Sequence, residues 1–361
     1  MKFIFGRELN RKELYDRNNE INKIINSYKT RQPVAVIGFR RMGKSSILNA
    51  VKSILEENNV FVIKFNIEGI YNLYDYSNRL IESIIVELSK KYRLKYYKEE
   101  IKKLINKFIG SINQVNIKLN DVEVILNRYS DYLENRLKAS EMIEDIINLP
   151  EKMAKNIHKK IVVIIDEFQY IRFLKQPFPE ILRIMRSKFN EHTDVQYIIS
   201  GSEIGIIDEL LNNKNEPFYA FFRIIKVLPF DRNESIGFLE DGLKNYSIKC
   251  DKAILEKVYE MTSGIPAWLN LAGLDLAENN CNILSFLNDD TYKNIIKYEL
   301  NTLTKNELLL LKELSYKKIK EIKISNKYRI IKSLINKGML IKTQNEYVIV
   351  DGLLNYYLKN L

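Results

Sequence analysis

Residues 34–51, VAVIGFRRMGKSSILNAV, constrain the fold of this chain more than any other feature. They contain the pattern G-x-x-x-x-G-K-[ST], which runs from Gly38 to Ser45. Four apolar residues before Gly38 predict a buried strand, and the apolar periodicity after Lys44 predicts a helix. A strand, a glycine-rich loop and a helix in this order form a cradle for the phosphates of a nucleotide.

The residue types in this loop, the P-loop, fit phosphate binding. Gly38 and Gly43 let backbone N–H groups turn toward phosphate oxygens, and the positive end of the following helix adds its dipole. Lys44 supplies a charge for the β- and γ-phosphates, and the hydroxyl of Ser45 is suited to Mg²⁺. The loop therefore predicts binding of a nucleoside triphosphate together with Mg²⁺.

A second motif consists of five apolar residues, 161–165, followed by Asp166 and Glu167. The apolar run is typical of a strand that is covered on both faces, as in a parallel sheet. We expect Asp166 to bind Mg²⁺ directly or through water, and Glu167 to polarise the attacking water as a general base. Two carboxylates at this point favour hydrolysis and disfavour a small-molecule kinase.

Whether the nucleotide carries adenine or guanine is indicated by a motif that the sequence lacks. Guanine-specific P-loop proteins carry Asn-Lys-x-Asp, and no Asn-Lys pair of this chain has Asp two positions on. ATP is therefore favoured over GTP, which leaves ATP, ADP and Mg²⁺ as the expected ligands.

The apolar pattern predicts five strands, at residues 34–37, 60–67, 161–165, 195–200 and 223–228. Helices are predicted at residues 11–28, 74–92, 98–108, 132–158 with a break at Pro150, and 179–190, and a hairpin is predicted at 115–124. Strands that alternate with helices are typical of an α/β fold, a doubly wound parallel sheet. Its ligand is expected at the carboxyl ends of the strands.

The pattern changes after residue 228. Residues 229–290 read as short helices with a turn at Gly264-Ile265-Pro266 and a linker near 288–290. In residues 291–361, Thr304 and Glu307 form a capping box, a second helix covers 325–337 and ends at Gly338, and two short strands follow. We therefore predict three domains: an ATPase core with a helical insertion (1–228), a helical lid (229–290) and a winged helix-turn-helix (291–361).

Charge suggests an anionic partner for the last domain. The 361 residues carry a net charge of +11, and residues 298–361 hold 12 basic and 6 acidic side chains, a net of +6. The second helix of this domain carries Lys327, Arg329, Lys332 and Lys337. A basic helix beside a wing is suited to DNA, although packing or contact with a protein would leave the same pattern.

Two observations bear on location. The N-terminus has no long apolar region of the kind found in signal peptides, and no apolar run is long enough to span a membrane. The two cysteines, Cys250 and Cys281, provide neither a disulfide framework nor a zinc-binding pattern. A cytoplasmic, reducing location is expected.

Taken together, the motifs resemble the archaeal ATPase family of the STAND class, P-loop NTPases allied to AAA+ and replication-initiator ATPases. The resemblance covers most of the chain. It rests on Phe5-Gly6-Arg7-Glu8, the doubled arginine Arg40-Arg41 inside the P-loop, Asp166-Glu167-Phe168-Gln169, Ser200-Gly201-Ser202, Arg223, and Gly264-Ile265-Pro266.

The resemblance implies ATP and Mg²⁺ binding, a lid packed over the nucleotide and a C-terminal winged helix. It adds to the nucleotide contacts the residues Phe5, Gly6, Arg7, Arg41, Met42, Ser46 and Pro266. It implies that Ser200 or Ser202 senses the γ-phosphate, and that Arg223 is an arginine finger or sensor, for which a structural ion pair is the alternative.

These features favour an ATP-dependent molecular switch with slow ATPase activity, whose winged helix engages DNA or a protein partner. The alternative is a DNA-binding regulator or replication-initiator-like protein in which ATP only tunes the affinity. Salt-dependent binding to duplex DNA would separate a DNA-binding winged helix from one that docks a protein.

Overall fold

A computed structural model describes residues 2–91, 139–175, 180–344 and 346–361. The first part of the chain forms α1 (Asn18–Lys29), β1 (Val34–Ile37), α2 (Lys44–Glu57), β2 (Phe61–Asn66), α3 (Leu73–Lys91), α4 (Ala139–Ile157), β3 (Ile161–Asp166), a 3₁₀ helix (Phe168–Lys175), α5 (Ile181–Glu191), β4 (Val195–Gly201), α6 (Ile204–Asn212) and β5 (Arg223–Lys226). The helix predicted at 98–108 and the hairpin predicted at 115–124 lie outside the described residues.

The five strands form one parallel sheet in the order β2-β3-β4-β1-β5. All residues of β1, β3 and β4 are buried, and for β3 this confirms the predicted strand that is covered on both faces. Because β1 lies beside β4 and next but one to β3, the loops that leave the carboxyl ends of these strands meet at one edge of the sheet.

Helices cover both faces of this sheet. Alternate strand residues point to opposite faces: Val36 and Ile164 join the core under α1 and α2, whereas Ile37 and Ile165 join the core under α3 to α6. The first of these cores continues without a break into the remainder of the chain. A parallel central sheet with flanking helices is thus confirmed.

Two helices differ from their predicted forms. The first begins at Asn18 rather than at residue 11, because the backbone turns at Asp16, whose φ is positive, and Arg17 points inward. The predicted break at Pro150 is wrong, since α4 runs through it. Buried apolar residues on both sides of the proline, Leu149 and Met153, outweigh the lost backbone hydrogen bond.

The middle segment, residues 230–288, consists of α7 (Arg232–Lys244), α8 (Lys252–Thr262), α9 (Pro266–Glu278) and α10 (Ile283–Asn288). The predicted turn at Gly264 joins α8 to α9, and its carbonyl accepts a hydrogen bond of 2.9 Å from the backbone N–H of Phe230. Cys250 and Cys281 are joined by a disulfide, with Cα atoms 5.6 Å apart. The sequence, in which two cysteines provide no disulfide framework, did not predict this single bond.

The C-terminal segment, residues 289–361, contains α11 (Asp290–Asn301), α12 (Lys305–Leu314), α13 (Lys327–Asn336), the antiparallel strands β6 (Leu340–Lys342) and β7 (Tyr347–Ile349), and α14 (Gly352–Lys359). The capping box of Thr304 and Glu307 is confirmed. The predicted linker is wrong, because Asp289 alone separates α10 from α11 and caps α11. Sequence reasoning also missed α11 and α14.

Within residues 2–91, 139–175, 180–344 and 346–361, no helix is long and apolar enough to cross a bilayer.

Candidate active site

The P-loop joins β1 to α2, and its two glycines are required by geometry. A Cβ atom at Gly38 would lie 2.5 Å from the carbonyl oxygen of Val227, which follows β5. Gly43 precedes α2 with φ of 84°, in the left-handed region that favours glycine. The loop therefore holds its shape only with glycine at both positions, as the motif requires.

Lys44 is the first residue of α2, and its side chain is only 5% exposed. Its Nζ donates a hydrogen bond of 2.8 Å to the carbonyl of Phe39 inside the same loop. Burial lowers the pKa of Lys44, and the nearby carboxylates of Glu167 and Asp166 act in the opposite direction. An anion placed in the loop would likewise favour the charged ammonium.

Asp166 is the centre of a cluster of side chains from three elements. It ends β3, and its Oδ2 accepts a hydrogen bond of 2.8 Å from Ser45 Oγ at the start of α2. Its Oδ1 accepts a hydrogen bond from Ser200 Oγ on β4. The structure thus brings together three side chains that the sequence assigned to metal binding and sensing.

Glu167 follows directly and adopts a backbone conformation with φ of 55°. Such a conformation is uncommon for a residue with a side chain, and it clusters at functional sites. One carboxylate oxygen, Oε2, accepts hydrogen bonds from Ser202 Oγ at 2.7 Å and from Gln169 Nε2 at 2.5 Å. The side chain of the predicted base is therefore fixed by two neighbours.

A cavity of 590 Å³ lies between the P-loop, the N-terminal residues and α9. The residues with predicted nucleotide contacts that line it are Phe5, Gly6, Arg7, Arg41, Gly43, Lys44, Ser45, Ser46 and Pro266. The backbone N–H of Ile4 donates to Asn270 Oδ1 at 2.7 Å, and that of Leu9 donates to Ser46 Oγ at 3.0 Å. The N-terminal residues are thus tied to both walls of the cavity.

The side chain of Arg41 is held by residues far away in the chain. Its guanidinium donates to Glu299 at 2.7 Å and to Asp351 at 3.2 Å, and it lies 4.4 Å from the ring centre of Trp268. Trp268 Nε1 also donates to Asp351, at 2.7 Å. Burial raises the pKa of Asp351, although Arg41 and Trp268 act in the opposite direction.

The guanidinium of Arg41, which was expected to contact the nucleotide, instead binds the C-terminal segment. Arg41 lines the cavity, but its guanidinium is occupied by carboxylates of α11 and of the turn before α14. The neighbouring Arg40 is 48% exposed and lies 3.8 Å from Glu203 and Glu299. Of the doubled arginines, Arg40 is the one whose side chain is less tightly held.

A protein-family model described as an ATPase domain predominantly from Archaea matches residues 14–271, more than half of the chain. The chain belongs to this family. It is an ATP-hydrolysing enzyme. None of the curated proteins matches the ATPase significantly.

Two solved structures resemble the ATPase over nearly its whole length. A Walker-type ATPase of Pyrococcus abyssi has a TM-score of 0.73 and 20% identity, with 99% of this chain and 100% of that chain covered. The ORC2 protein of Aeropyrum pernix, in ADPNP–ADP complexes, has a TM-score of 0.56 and 12% identity, with 99% and 96% covered. At these identities the likeness shows the fold alone.

Arg223 lies far from this site in the ATPase. It begins β5, where it pairs with Val34 at the start of β1, and it donates a hydrogen bond of 3.0 Å to Ser27 Oγ. In a parallel sheet the amino ends of the strands lie opposite the carboxyl ends, from which the P-loop leaves. A sensor role for Arg223 in its own site is therefore wrong.

Other residues of the ATPase site were missed or left without a role. Asn270 lines the cavity one helical turn after Pro266, whose carbonyl accepts from Asn270 Nδ2 at 2.9 Å. Its spacing of four residues from the predicted Pro266 is the signal that could have found it. The predicted Met42 is in the P-loop, but its side chain is buried in the core. Gln169 stands two residues after Glu167.

Proposed function

We propose that this ATPase is a molecular switch of the STAND class. ATP binding and slow hydrolysis change how the C-terminal segment docks on the sheet, and that segment engages DNA. The carrying observation is the side chain of Arg41, which belongs to the P-loop and binds Glu299 and Asp351 of the C-terminal segment. We propose a cytoplasmic location because ATP is available there.

Arg41 supports the switch because it connects the P-loop, which is proposed to bind nucleotide, to the C-terminal segment. Its carbonyl accepts a hydrogen bond of 3.3 Å from Ala267 at the start of α9, so the middle segment is joined at the same residue. A phosphate that alters the P-loop backbone alters the position of the guanidinium. The ion pairs with α11 and α14 then gain or lose stability, as coupling between two sites requires.

The test of the switch is hydrogen exchange with ADP and with a non-hydrolysable ATP analogue. Amide protection in α11 and α14 is expected to differ between the two nucleotides. The variant Glu299→Gln/Asp351→Asn should abolish this difference. The matched control, Glu313→Gln/Glu321→Gln, changes the same charge within the same segment and should keep it. Identical exchange with both nucleotides in the unaltered protein contradicts the switch.

We further propose that the 590 Å³ cavity takes ATP with Mg²⁺. Ser45 and Asp166 fit the ion, because a hydroxyl and a carboxylate already meet at 2.8 Å and oxygen donors suit Mg²⁺. When bound, Mg²⁺ neutralises charge on the phosphate oxygens. The ammonium of Lys44 stabilises the same negative charge on the phosphate oxygens. Glu167 accepts a proton from the attacking water.

We assign the parts of the chain as predicted: residues 1–228 as the core, 229–290 as the lid and 291–361 as a winged helix. The order of two helices and an antiparallel hairpin, α12, α13, β6 and β7, supports the last assignment. In such domains the second helix, here α13, enters the major groove of DNA.

The surface of α13 supports DNA contact at one end of the helix. Tyr328 is 78% exposed, and Arg329 and Lys332 are exposed beside it. Lys327 and Lys337 are partly buried and bound within the segment instead, because Lys327 donates to the carbonyls of residues 319 and 322 and Lys337 binds Glu307. The predicted basic face is thus smaller than the sequence suggested.

A salt titration tests the DNA proposal. Arg329→Ala/Lys332→Ala should weaken duplex binding and reduce the slope of log affinity against log salt by about one unit per lost phosphate contact. The matched control Lys23→Ala/Lys29→Ala removes two exposed charges from α1 and should leave both quantities unchanged. Equal loss in both variants, or no DNA affinity at low salt, would instead indicate protein docking.

A further inference from the structure

We propose that Gln169 and Ser202 are positioning residues for ATP hydrolysis. They hold one oxygen of the Glu167 carboxylate and leave the other for the attacking water. This inference rests on the proposed role of Glu167 as general base. We call these two side chains the glutamate clamp.

The clamp is built from two loops that leave neighbouring strands. Gln169 is the second residue of the 3₁₀ helix after β3, and Ser202 follows the last residue of β4. Their hydrogen bonds to Glu167, at 2.5 and 2.7 Å, end on the same oxygen, Oε2. Gln169 Nε2 also lies 3.5 Å from Ser202 Oγ, so the three groups are in mutual contact.

Burial indicates that the Gln169 amide is poorly explained by stability alone. The side chain is 1% exposed, and its Oε1 has no hydrogen-bond donor among the described residues. A buried carbonyl without a donor costs free energy. The hydrogen bonds of the amide are made by Nε2, and both of its partners belong to the cluster around Glu167.

A clamp is useful at this position because a glutamate side chain has three rotatable bonds. The backbone turn at Glu167 sets the direction in which the side chain leaves, but not the orientation of its carboxylate. Both clamp residues line the cavity together with Glu167. Fixing one oxygen before ATP arrives removes the entropy of orienting the base, which should raise kcat without changing ATP affinity.

Two single substitutions, each with a side chain close in size to the one it replaces, remove the clamp. Gln169→Met and Ser202→Ala should each lower kcat by about 10- to 100-fold, the cost of a misplaced catalytic group, while the KM for ATP changes little. Ser202→Thr, which keeps the hydroxyl, should retain most of the activity. The matched control Gln196→Ala truncates another buried glutamine, which donates to the carbonyls of residues 27 and 32, and should keep kcat.

A double-mutant cycle separates positioning from structure. In a Glu167→Ala background, Ser202→Ala should cause no further loss of the residual kcat, because its effect passes through the missing carboxylate. An undiminished loss in that background would overturn the clamp. So would normal kcat in folded Ser202→Ala, and this outcome decides the matter even if Gln169→Met fails to fold.

The general-base role is tested separately by Glu167→Gln. Normal turnover in Glu167→Gln would show that the proposed role of Glu167 is wrong. Loss of turnover there, with normal kcat in Ser202→Ala and Gln169→Met, would overturn the clamp alone.

Discussion

At the scale of single residues, the site is dominated by charged groups that are partly removed from water. The ammonium of Lys44 is buried, and burial lowers its pKa, yet it keeps the carbonyl of Phe39 as an acceptor. A phosphate offers such an ammonium a stronger, charge-assisted partner. The affinity for ATP should therefore depend strongly on this one side chain.

Lys44→Ala tests this dependence. We expect ATP affinity to fall by roughly 10- to 100-fold, the range of a hydrogen bond between charged groups, with hydrolysis lost. Lys52→Ala is the control: Lys52 lies on the same helix but binds Glu87 at 2.5 Å, so ATP affinity should not change. Nucleotide titration by fluorescence measures both. Unchanged affinity and turnover in folded Lys44→Ala would contradict the assignment.

Residues within a short motif could be predicted, and partners from distant segments could not. The spacing of Gly38 to Ser45 fixed the phosphate cradle, and the apolar run before Asp166 fixed the strand that carries it. Arg41 was also recognised, but its role depends on Glu299 and Asp351, 258 and 310 residues later. No local pattern contains such pairings.

At the scale of elements, the C-terminal segment is held together around one carboxylate. Glu307 caps α12 through Thr304, and it accepts hydrogen bonds from Ser333 of α13 and from Lys337, which follows that helix. Burial alone would raise the pKa of Glu307, but these hydrogen bonds outweigh it and lower the pKa to about 2. The capping box and the second helix were both predictable, but the hydrogen bonds between Glu307 and that second helix were not.

The lowered pKa predicts acid sensitivity of this segment. A carboxyl group with a lower pKa in the folded state stabilises the fold above its unfolded pKa. Its contribution should be lost as the pH falls from about 4.5 toward about 2. Glu307→Gln should be less stable at pH 7, and its stability should change less in that window than that of the unaltered protein. Melting temperatures against pH measure this.

Glu260→Gln provides the control for this prediction. Glu260 is an exposed residue of α8, so its replacement should keep the pH dependence of the unaltered protein. If Glu307→Gln shows the same acid profile as Glu260→Gln, then Glu307 is not responsible for the acid sensitivity.

The disulfide adds a second prediction at this scale. Cys250 and Cys281 lie before α8 and after α9, so their bond closes the loop that contains both helices. A crosslink of this kind stabilises mainly by restricting the unfolded chain. Cys250→Ser/Cys281→Ser should lower the stability by about 2–4 kcal/mol. A reductant should lower the melting temperature of the unaltered protein and have no effect on the double variant. If the reductant affects neither protein, the disulfide does not stabilise the fold.

At the scale of the whole molecule, one apolar core joins the sheet to both later segments. Val36 of β1, Trp268 of α9 and Leu334 of α13 belong to the same cluster. The apolar periodicity predicted each element separately, but it did not predict that their cores would merge. Apolar periodicity shows which face of an element is buried. It does not show which distant element packs against that face.

Arg41→Ala tests how much the packing of the C-terminal segment against the sheet depends on the P-loop. Removing the guanidinium leaves two partly buried carboxylates, Glu299 and Asp351, without their cation, and the cost should lie below the roughly 3–5 kcal/mol of a fully buried ion pair. We expect faster hydrogen exchange in α11 and α14. The neighbouring Arg40→Ala removes the same charge from an exposed side chain, 48% accessible, and should change exchange much less. Equal effects of the two variants would contradict a specific role for Arg41.

The pairing of Arg41 with Asp351 also has a genetic consequence. The two codons lie 310 positions apart in the coding sequence, but the side chains are in direct contact, and the proposed switch makes them one functional unit. A screen for lost ATP hydrolysis should therefore recover substitutions at positions 299 and 351 together with those in the P-loop. Second-site suppressors of a charge-removing change at Arg41 are expected at those two carboxylates, where neutral residues would relieve the unpaired charge.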